Sequence, residues 1–141
     1  MKPSGIILHH SLTADGKTVD WDAIKRYHVE TNGWDDIGYH AGVERINGVL
    51  TALTGRPLNM IGGHTKGHND TIGICVVGNF DLAPPDDDLL RYAASLTAGY
   101  MRMFDLPISR LYMHREYTNY KSCPGTKFPW ALFKNLVEEM I

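Results

Sequence analysis

The sequence is poor in cysteine, in net charge and in long apolar runs, and each shortage excludes a class of protein. Two cysteines in 141 residues cannot form the dense disulfide framework that holds small secreted domains together. A net charge of −2 provides neither a basic face for nucleic acid nor a polybasic patch for a membrane surface. No apolar run approaches the roughly 18 residues of a membrane span. We therefore expect neither nucleic acid nor a membrane as a partner.

The first residues also lack the features of a secretory signal. Ile6, Ile7 and Leu8 are too few for a signal-peptide core, and no small-residue cleavage site follows them. We expect a protein that is made in the cytoplasm without a signal peptide and that something else must release if it acts outside the cell. A disulfide between Cys75 and Cys123 is possible in principle. In a reducing compartment, however, a cysteine near histidine is more typical of metal binding or catalysis.

The pattern of apolar residues predicts one α/β domain over residues 1–141, because the length suits a single domain and there is no repeat or linker. The turn pair Asn47-Gly48 predicts a β-hairpin. Strands joined through helices predict parallel crossovers, so we expect a central mixed β-sheet flanked by helices. In chain order we predict strand 6–9, helix 20–31, strands 37–45, 49–53 and 72–77, helix 86–104, strand 110–113 and helix 129–140.

Local signals refine these helices. Thr18 or Asp20 can cap the first helix, and Asn32-Gly33 can end it. For the long helix, apolar residues at intervals of 4, 3, 4 and 3 predict one core-facing stripe. That stripe is Leu89, Ala93, Leu96, Tyr100 and Met103.

The chemistry suggested by the chain is concentrated in the run HREYTNYKSCPG at 114–125. His114 and Cys123 stand nine positions apart, and an imidazole and a thiolate on one short loop are ligands that zinc accepts. His9, at the end of the first predicted strand, could be a third ligand. His10 competes with it, because adjacent strand residues point to opposite faces. Taken singly, a strand-end histidine is more often a polar surface residue and Cys123 could be a small core residue.

Four runs in one order resemble a known family, the zinc-dependent N-acetylmuramoyl-L-alanine amidases of the type-2 class. That class includes small phage lysozyme-type amidases and the peptidoglycan-recognition proteins of animals. The runs are IILHHS at 6–11, GWDDIGYHAGVERINGVL at 33–50, GGHTKGHNDTIGICVVGNF at 62–80 and MHREYTNYKSCPG at 113–125.

The resemblance implies roles for particular residues. Without it, Tyr39 would be an ordinary strand tyrosine and Lys121 a solvated loop lysine. The interval from His114 to Cys123 is one residue longer than the family's pattern, and we expect residues 117–120 to absorb the extra one. The implied roles are zinc ligands for His9, His114 and Cys123, catalytic groups for Tyr39 and Lys121, and a place in the substrate groove for His64.

The resemblance also implies a reaction, the hydrolysis of the amide between N-acetylmuramic acid and L-alanine in peptidoglycan or muropeptides. With this compact domain, we expect a monomeric phage or prophage endolysin. Three alternatives stay open: a cytoplasmic amidase that recycles anhydro-muramoyl peptides, a non-catalytic peptidoglycan-binding module, and a structural zinc domain. Binding modules commonly hold serine where Cys123 stands, and structural zinc sites usually have a fourth protein ligand. Both points favour catalysis.

Overall fold

The computed structural model describes residues 1–12 and 20–141. Short helical turns at Tyr27–Thr31, Ile108–Arg110 and His114–Glu116 supplement the main elements. The main elements are β1 (Ile6–His10), α1 (Trp21–Arg26), β2 (Ala41–Ile46), β3 (Val49–Thr54), β4 (Ile72–Val76), α2 (Asp87–Met103), β5 (Leu111–Met113) and α3 (Trp130–Met140).

The strands form one mixed sheet in the order β3-β2-β4-β1-β5. β1 runs parallel to β4 and β5, β2 runs parallel to β4, and β3 pairs antiparallel with β2. The antiparallel pair is the predicted hairpin, whose turn residues Asn47 and Gly48 both have positive φ angles, 50° and 79°. The predicted fold class, a mixed sheet flanked by helices, is confirmed.

The two faces of the sheet carry different neighbours. Because successive strand residues point to opposite faces, Leu8 joins the large apolar core that α2 and α3 cover. His9 points to the other face. There α1 contributes Trp21 to a smaller cluster with Cys75 and Val77. The candidate ligand therefore lies on the α1 side of the sheet.

The first helix begins as predicted and ends in a different form. The Asp20 carboxylate accepts a hydrogen bond of 2.8 Å from the backbone N–H of Ala23 and caps α1. The alternative cap, Thr18, lies outside the described residues. After Arg26 the chain continues as a wider π-helical turn to Thr31. Gly33 follows with φ of 74°, the left-handed conformation expected at a helix end.

The long helix has the predicted length, but its predicted core face is partly wrong. Leu89 and Ala93 are buried, whereas Met103 is 63% exposed. The core lies instead against the side of the helix that carries Leu90, Ala94 and Met101, and Met101 is fully buried. The buried residues of α2 are Leu89, Leu90, Ala93, Ala94, Thr97, Ala98 and Met101.

The structure bears on two features considered from the sequence, a disulfide and a membrane span. Cys75 and Cys123 are both buried free thiols, so the disulfide considered above is not formed. In residues 1–12 and 20–141, no helix combines the length and the apolar character needed to cross a bilayer.

Candidate active site and metal centre

Two of the predicted ligands leave the sheet at the same edge because of strand pairing. β1 and β5 are parallel neighbours in which Leu8 lies opposite Met113. His9 follows Leu8 in β1, and His114 follows Met113 at the end of β5. Both histidines therefore lie at the carboxyl ends of their strands, where open α/β sheets usually bind ligands. Their ring centroids are 4.6 Å apart. The pairing register thus brings together two histidines that are distant in sequence.

The third predicted ligand is held by a network around its loop. The backbone N–H of Arg115 donates to the Cys123 carbonyl at 2.9 Å, which ties the cysteine to the residue after His114. Asp81 anchors the other side, since its carboxylate accepts from the Ser122 hydroxyl and from the Thr126 N–H, both at 2.8 Å. Residues 116–121 lie between these ties, and Glu116, Asn119, Tyr120 and Lys121 are exposed. That this loop absorbs one residue more than the family's pattern stays a prediction.

The three side chains meet with spacing that suits zinc. The candidate ligand atoms of His9, His114 and Cys123 all lie within 4.8 Å of one another. The Sγ of Cys123 is 3.7 Å from Nδ1 of His9. Zinc bonds of 2.0–2.3 Å place the ligands of a tetrahedral site roughly 3.3–3.8 Å apart, so a small closure of the triad fits the ion. Three protein ligands leave one position open, as in catalytic zinc sites.

The competing histidine is directed elsewhere. Nδ1 of His10 accepts a 3.1 Å hydrogen bond from the backbone N–H of Phe80. The backbone N–H of His10 also donates to Cys123 Sγ at 3.3 Å. His10 therefore supports the loop of Cys123 rather than joining the triad.

Burial sets the protonation of the three candidate ligands. It lowers the pKa of His114 to about 4, with the charge of Lys121 as a second cause. It also lowers the pKa of His9 well below the ordinary value, helped by His64 and His114. Both imidazoles are thus neutral at pH 7 and able to bind a metal. Burial raises the pKa of the Cys123 thiol to about 12, so an incoming metal must displace its proton.

The two predicted catalytic groups line the same cleft as the triad. Tyr39 is half-buried, and its ring centroid lies 5.1 Å from that of His9. Burial raises the pKa of Tyr39 well above the ordinary value, and Cys75 and Cys123 add to the shift. Lys121 is exposed at the edge of the cleft, with Nζ 5.9 Å from the ring centroid of Tyr120.

His64 also lines the cleft, but its ring nitrogens face the protein. Nδ1 lies 2.9 Å from Nε2 of His9, and Nε2 lies 3.0 Å from the Thr71 carbonyl oxygen. The sequence prediction missed this contact between His64 and His9. No local signal could have revealed it, since 55 residues separate the two histidines.

The cleft has the size of a small-molecule site and continues into a second groove. Its volume is about 450 Å³, within the range typical of ligand pockets. Trp34 and Tyr27 form part of its rim. His114 and Tyr120 connect it to a groove of about 750 Å³ along residues 114–120. The cleft and the groove therefore meet beside the candidate metal ligands His9, His114 and Cys123.

Comparisons with known proteins agree on one family. The family model described as N-acetylmuramoyl-L-alanine amidase matches residues 1–126. The chain is 32% identical over 128 residues to peptidoglycan-recognition protein LB of Drosophila melanogaster, covering 85% of this chain and 53% of that protein. It is 39% identical over 98 residues to the endolysin of Escherichia phage T7, covering 69% of this chain and 58% of the endolysin. The chain thus spans little more than half the length of these two curated relatives.

A solved structure supports the same grouping. The N-acetylmuramoyl-L-alanine amidase LysC from Clostridium intestinale URNW aligns with a TM-score of 0.79 at 26% identity, covering 95% of this chain and 84% of that one.

Proposed function

The chain belongs to the N-acetylmuramoyl-L-alanine amidase family, and from this premise we propose that it is a zinc-dependent hydrolase of the amide between N-acetylmuramic acid and L-alanine in peptidoglycan. One observation carries the proposal. The ligand atoms of His9, His114 and Cys123 lie within 4.8 Å of one another in the cleft. The two neutral imidazoles and the displaceable thiol proton suit a dication.

Zinc held by these three residues would lower the pKa of a bound water to about 7 and polarise the scissile carbonyl. The thiolate of Cys123 would offset one positive charge of a bound zinc ion, whereas His9 and His114 would bind as neutral ligands and offset none.

Lys121 and Tyr39 act on the charge that develops during hydrolysis. The ammonium of Lys121 stabilises the oxyanion of the tetrahedral intermediate, which is supported by its place in the wall of the cleft. The hydroxyl of Tyr39 donates a hydrogen bond to the attacking oxygen or to the intermediate. Its raised pKa keeps it protonated at neutral pH and able to donate. Removing one such electrostatic contact typically costs about 10²–10³ in rate.

His64 contributes to the wall of the substrate groove. Its two ring nitrogens have partners inside the protein, so the ring carbons are what it offers to a substrate.

The biological role we propose is that of an endolysin. Residues 1–141 act as one catalytic domain and as a monomer on peptidoglycan or its muropeptides, after synthesis in the cytoplasm and release to the cell wall. A recycling amidase for anhydro-muramoyl peptides is the second candidate, because it would use the same triad on a smaller substrate. Cys123 argues against a binding module without activity.

Digestion of purified peptidoglycan tests the activity. The protein, loaded with zinc, is incubated with intact sacculi, and the soluble products are identified by mass spectrometry. We expect stem peptides that begin at L-alanine, whereas cleaved glycan strands would refute the amidase assignment. A parallel incubation with anhydro-muramoyl peptides separates the two roles, since a recycling enzyme would prefer them to sacculi.

The variant Cys123→Ser is the matched control for the metal. It should lose hydrolysis while keeping a folded structure, because it changes one ligand atom. Full activity of this variant would show that the ligand assignment is wrong.

A further inference from the structure

We propose that His64 is a positioning residue that fixes the orientation of His9, so that Nδ1 of His9 faces the metal. This inference rests on the zinc site of the proposed function. It assigns His64 a task in building the site, in addition to any contact with substrate.

The Thr71 carbonyl determines which nitrogen of His64 donates and which accepts. Its oxygen lies 3.0 Å from Nε2 of His64. A carbonyl can only accept, so Nε2 of His64 carries the proton. A neutral imidazole with its proton on one nitrogen has a lone pair on the other. Nδ1 of His64 is therefore an acceptor.

That acceptor faces His9. Nε2 of His9 lies 2.9 Å from Nδ1 of His64, so His9 donates through Nε2 and its lone pair is on Nδ1. Nδ1 of His9 is the nitrogen found 3.7 Å from Cys123 Sγ. The carbonyl of Thr71 thus sets the tautomer of His64, and His64 sets both the tautomer and the ring orientation of His9. Partners of this kind commonly raise the basicity of a metal ligand and hold it in place.

Thr65 is the other polar group at this contact. Its hydroxyl oxygen lies 3.0 Å from Nδ1 of His64 and 3.4 Å from Nε2 of His9. A hydroxyl can donate or accept, so it adapts to either tautomer and selects neither. The fixed direction comes from the carbonyl of Thr71.

The fold also confines the ring of His64. A Cβ at Gly73 would lie 2.5 Å from the ring, and a Cβ at Gly62 would lie 2.6 Å from it. Both positions therefore admit only glycine with the ring in this place. The backbone N–H groups of His64 and Thr65 both donate to Oδ1 of Asn69 at 2.8 Å. These close glycines and backbone hydrogen bonds hold the His64 ring in one orientation, which a contact with His9 requires and a place in a groove wall does not.

Zinc affinity of three variants tests the proposal without any substrate. His64→Phe keeps a ring and removes the acceptor. His64→Asn restores an oxygen close to the position of Nδ1, and Thr65→Val removes only the neighbouring hydroxyl. Each zinc-free protein is titrated with zinc against a chromophoric chelator.

We expect His64→Phe to bind zinc about 10–100-fold more weakly than the wild type. His64→Asn should recover most of that loss, and Thr65→Val should stay within about threefold of the wild type. Rescue by asparagine separates orientation of His9 from simple packing, because asparagine restores the acceptor but not the ring. Wild-type affinity in His64→Phe would overturn the proposal, as would an equal loss in Thr65→Val.

Nitrogen-15 NMR of the zinc-free wild type gives an independent readout. We expect the imidazole protons of His9 and His64 on their Nε2 atoms, with a scalar coupling from Nε2 of His9 to Nδ1 of His64. A proton on Nδ1 of His9 would overturn the assignment. If His64→Phe does not fold, this measurement decides alone. If the wild type binds no zinc, the metal proposal fails while the proton pattern still tests the contact between the two histidines.

Discussion

Gly73→Ala is a substitution in β4 that should disturb the candidate site through His64 while leaving the three candidate metal ligands unchanged. Gly73 lies in β4, next to Cys75 on the same face of the sheet, and its added Cβ would lie 2.5 Å from Cγ and Cδ2 of His64. Gly62 also lies beside the ring, since a Cβ there would be 2.6 Å from Cδ2 of His64. The methyl group must therefore displace the ring, and with it the 2.9 Å contact to His9.

The expected cost has two separable parts. Overpacking a well-filled site typically lowers the free energy of unfolding by about 1–3 kcal/mol, and this loss should be present without zinc. Displacement of His64 should also weaken zinc binding. A tenfold weaker Kd reduces the stabilisation that a saturating ligand provides by about 1.4 kcal/mol. The zinc-loaded variant should therefore lose more stability than the zinc-free variant.

Urea unfolding with a chelator and with excess zinc measures both parts. The decisive quantity is the difference between the two free energies of unfolding, compared between Gly73→Ala and the wild type. Gly99→Ala is the control, since its Cβ would have Arg102 at 3.9 Å as its nearest neighbour and alanine favours a helix by about 1 kcal/mol. In Gly99→Ala, zinc should raise the free energy of unfolding by as much as it does in the wild type. If zinc also stabilises Gly73→Ala by the full wild-type amount, the proposed link from Gly73 through His64 to the metal is refuted.

Three further predictions concern catalysis, pH and stability. Lys121→Thr should lower kcat by about 10²–10³ while zinc affinity, measured by chelator competition, changes less; an unchanged kcat would remove Lys121 from the mechanism. Zinc affinity, measured by chelator competition, should rise about tenfold per pH unit between roughly pH 5.5 and 6.5. The reason is that the Cys123 thiol, with its pKa raised to about 12, must lose one proton, while His114, with its pKa lowered to about 4, is already neutral. A zinc affinity that does not change with pH would contradict this assignment. Asp86→Ala should lower the free energy of unfolding by about 0.5–2 kcal/mol, because the Asp86 carboxylate caps α2 and pairs with Arg45 at 2.6 Å; Asp86→Asn, which keeps the cap, should lose less in the same urea unfolding.

Much of the fold could be predicted because local patterns determine it. The Asn47-Gly48 pair predicts the hairpin from the conformations that its two residues tolerate. Apolar runs predict the central strands, and the carboxylate of Asp86 marks the start of α2. The face of α2 could not be read in this way. Its predicted stripe ended at Met103, which is 63% exposed, because a second stripe at Leu90, Ala94, Thr97 and Met101 has the same helical spacing and is the one that is buried.

The candidate triad and its support differ in how far the sequence predicts them. His9 and His114 lie at the carboxyl ends of β1 and β5, so the parallel pairing of these strands is enough to bring them together. The partner of His9 depends on the path of the loop at residues 55–71, which has little apolar periodicity. It also depends on the direction of one carbonyl, that of Thr71. Neither is encoded by spacing, so the sequence could predict only a general groove role for His64.

The strand sequence IGICV at 72–76 contains more information than a buried apolar run. Its isoleucines and valine point into the large core, whereas Gly73 and Cys75 face the α1 side. Gly42 in β2 continues that small-residue surface, since a Cβ there would lie 2.2 Å from the ring of Trp21. Small residues on this face create the room that the rings of Trp21 and His64 occupy. Alternation between large and small residues, rather than between apolar and polar ones, therefore indicates which face of this buried sheet holds the candidate site.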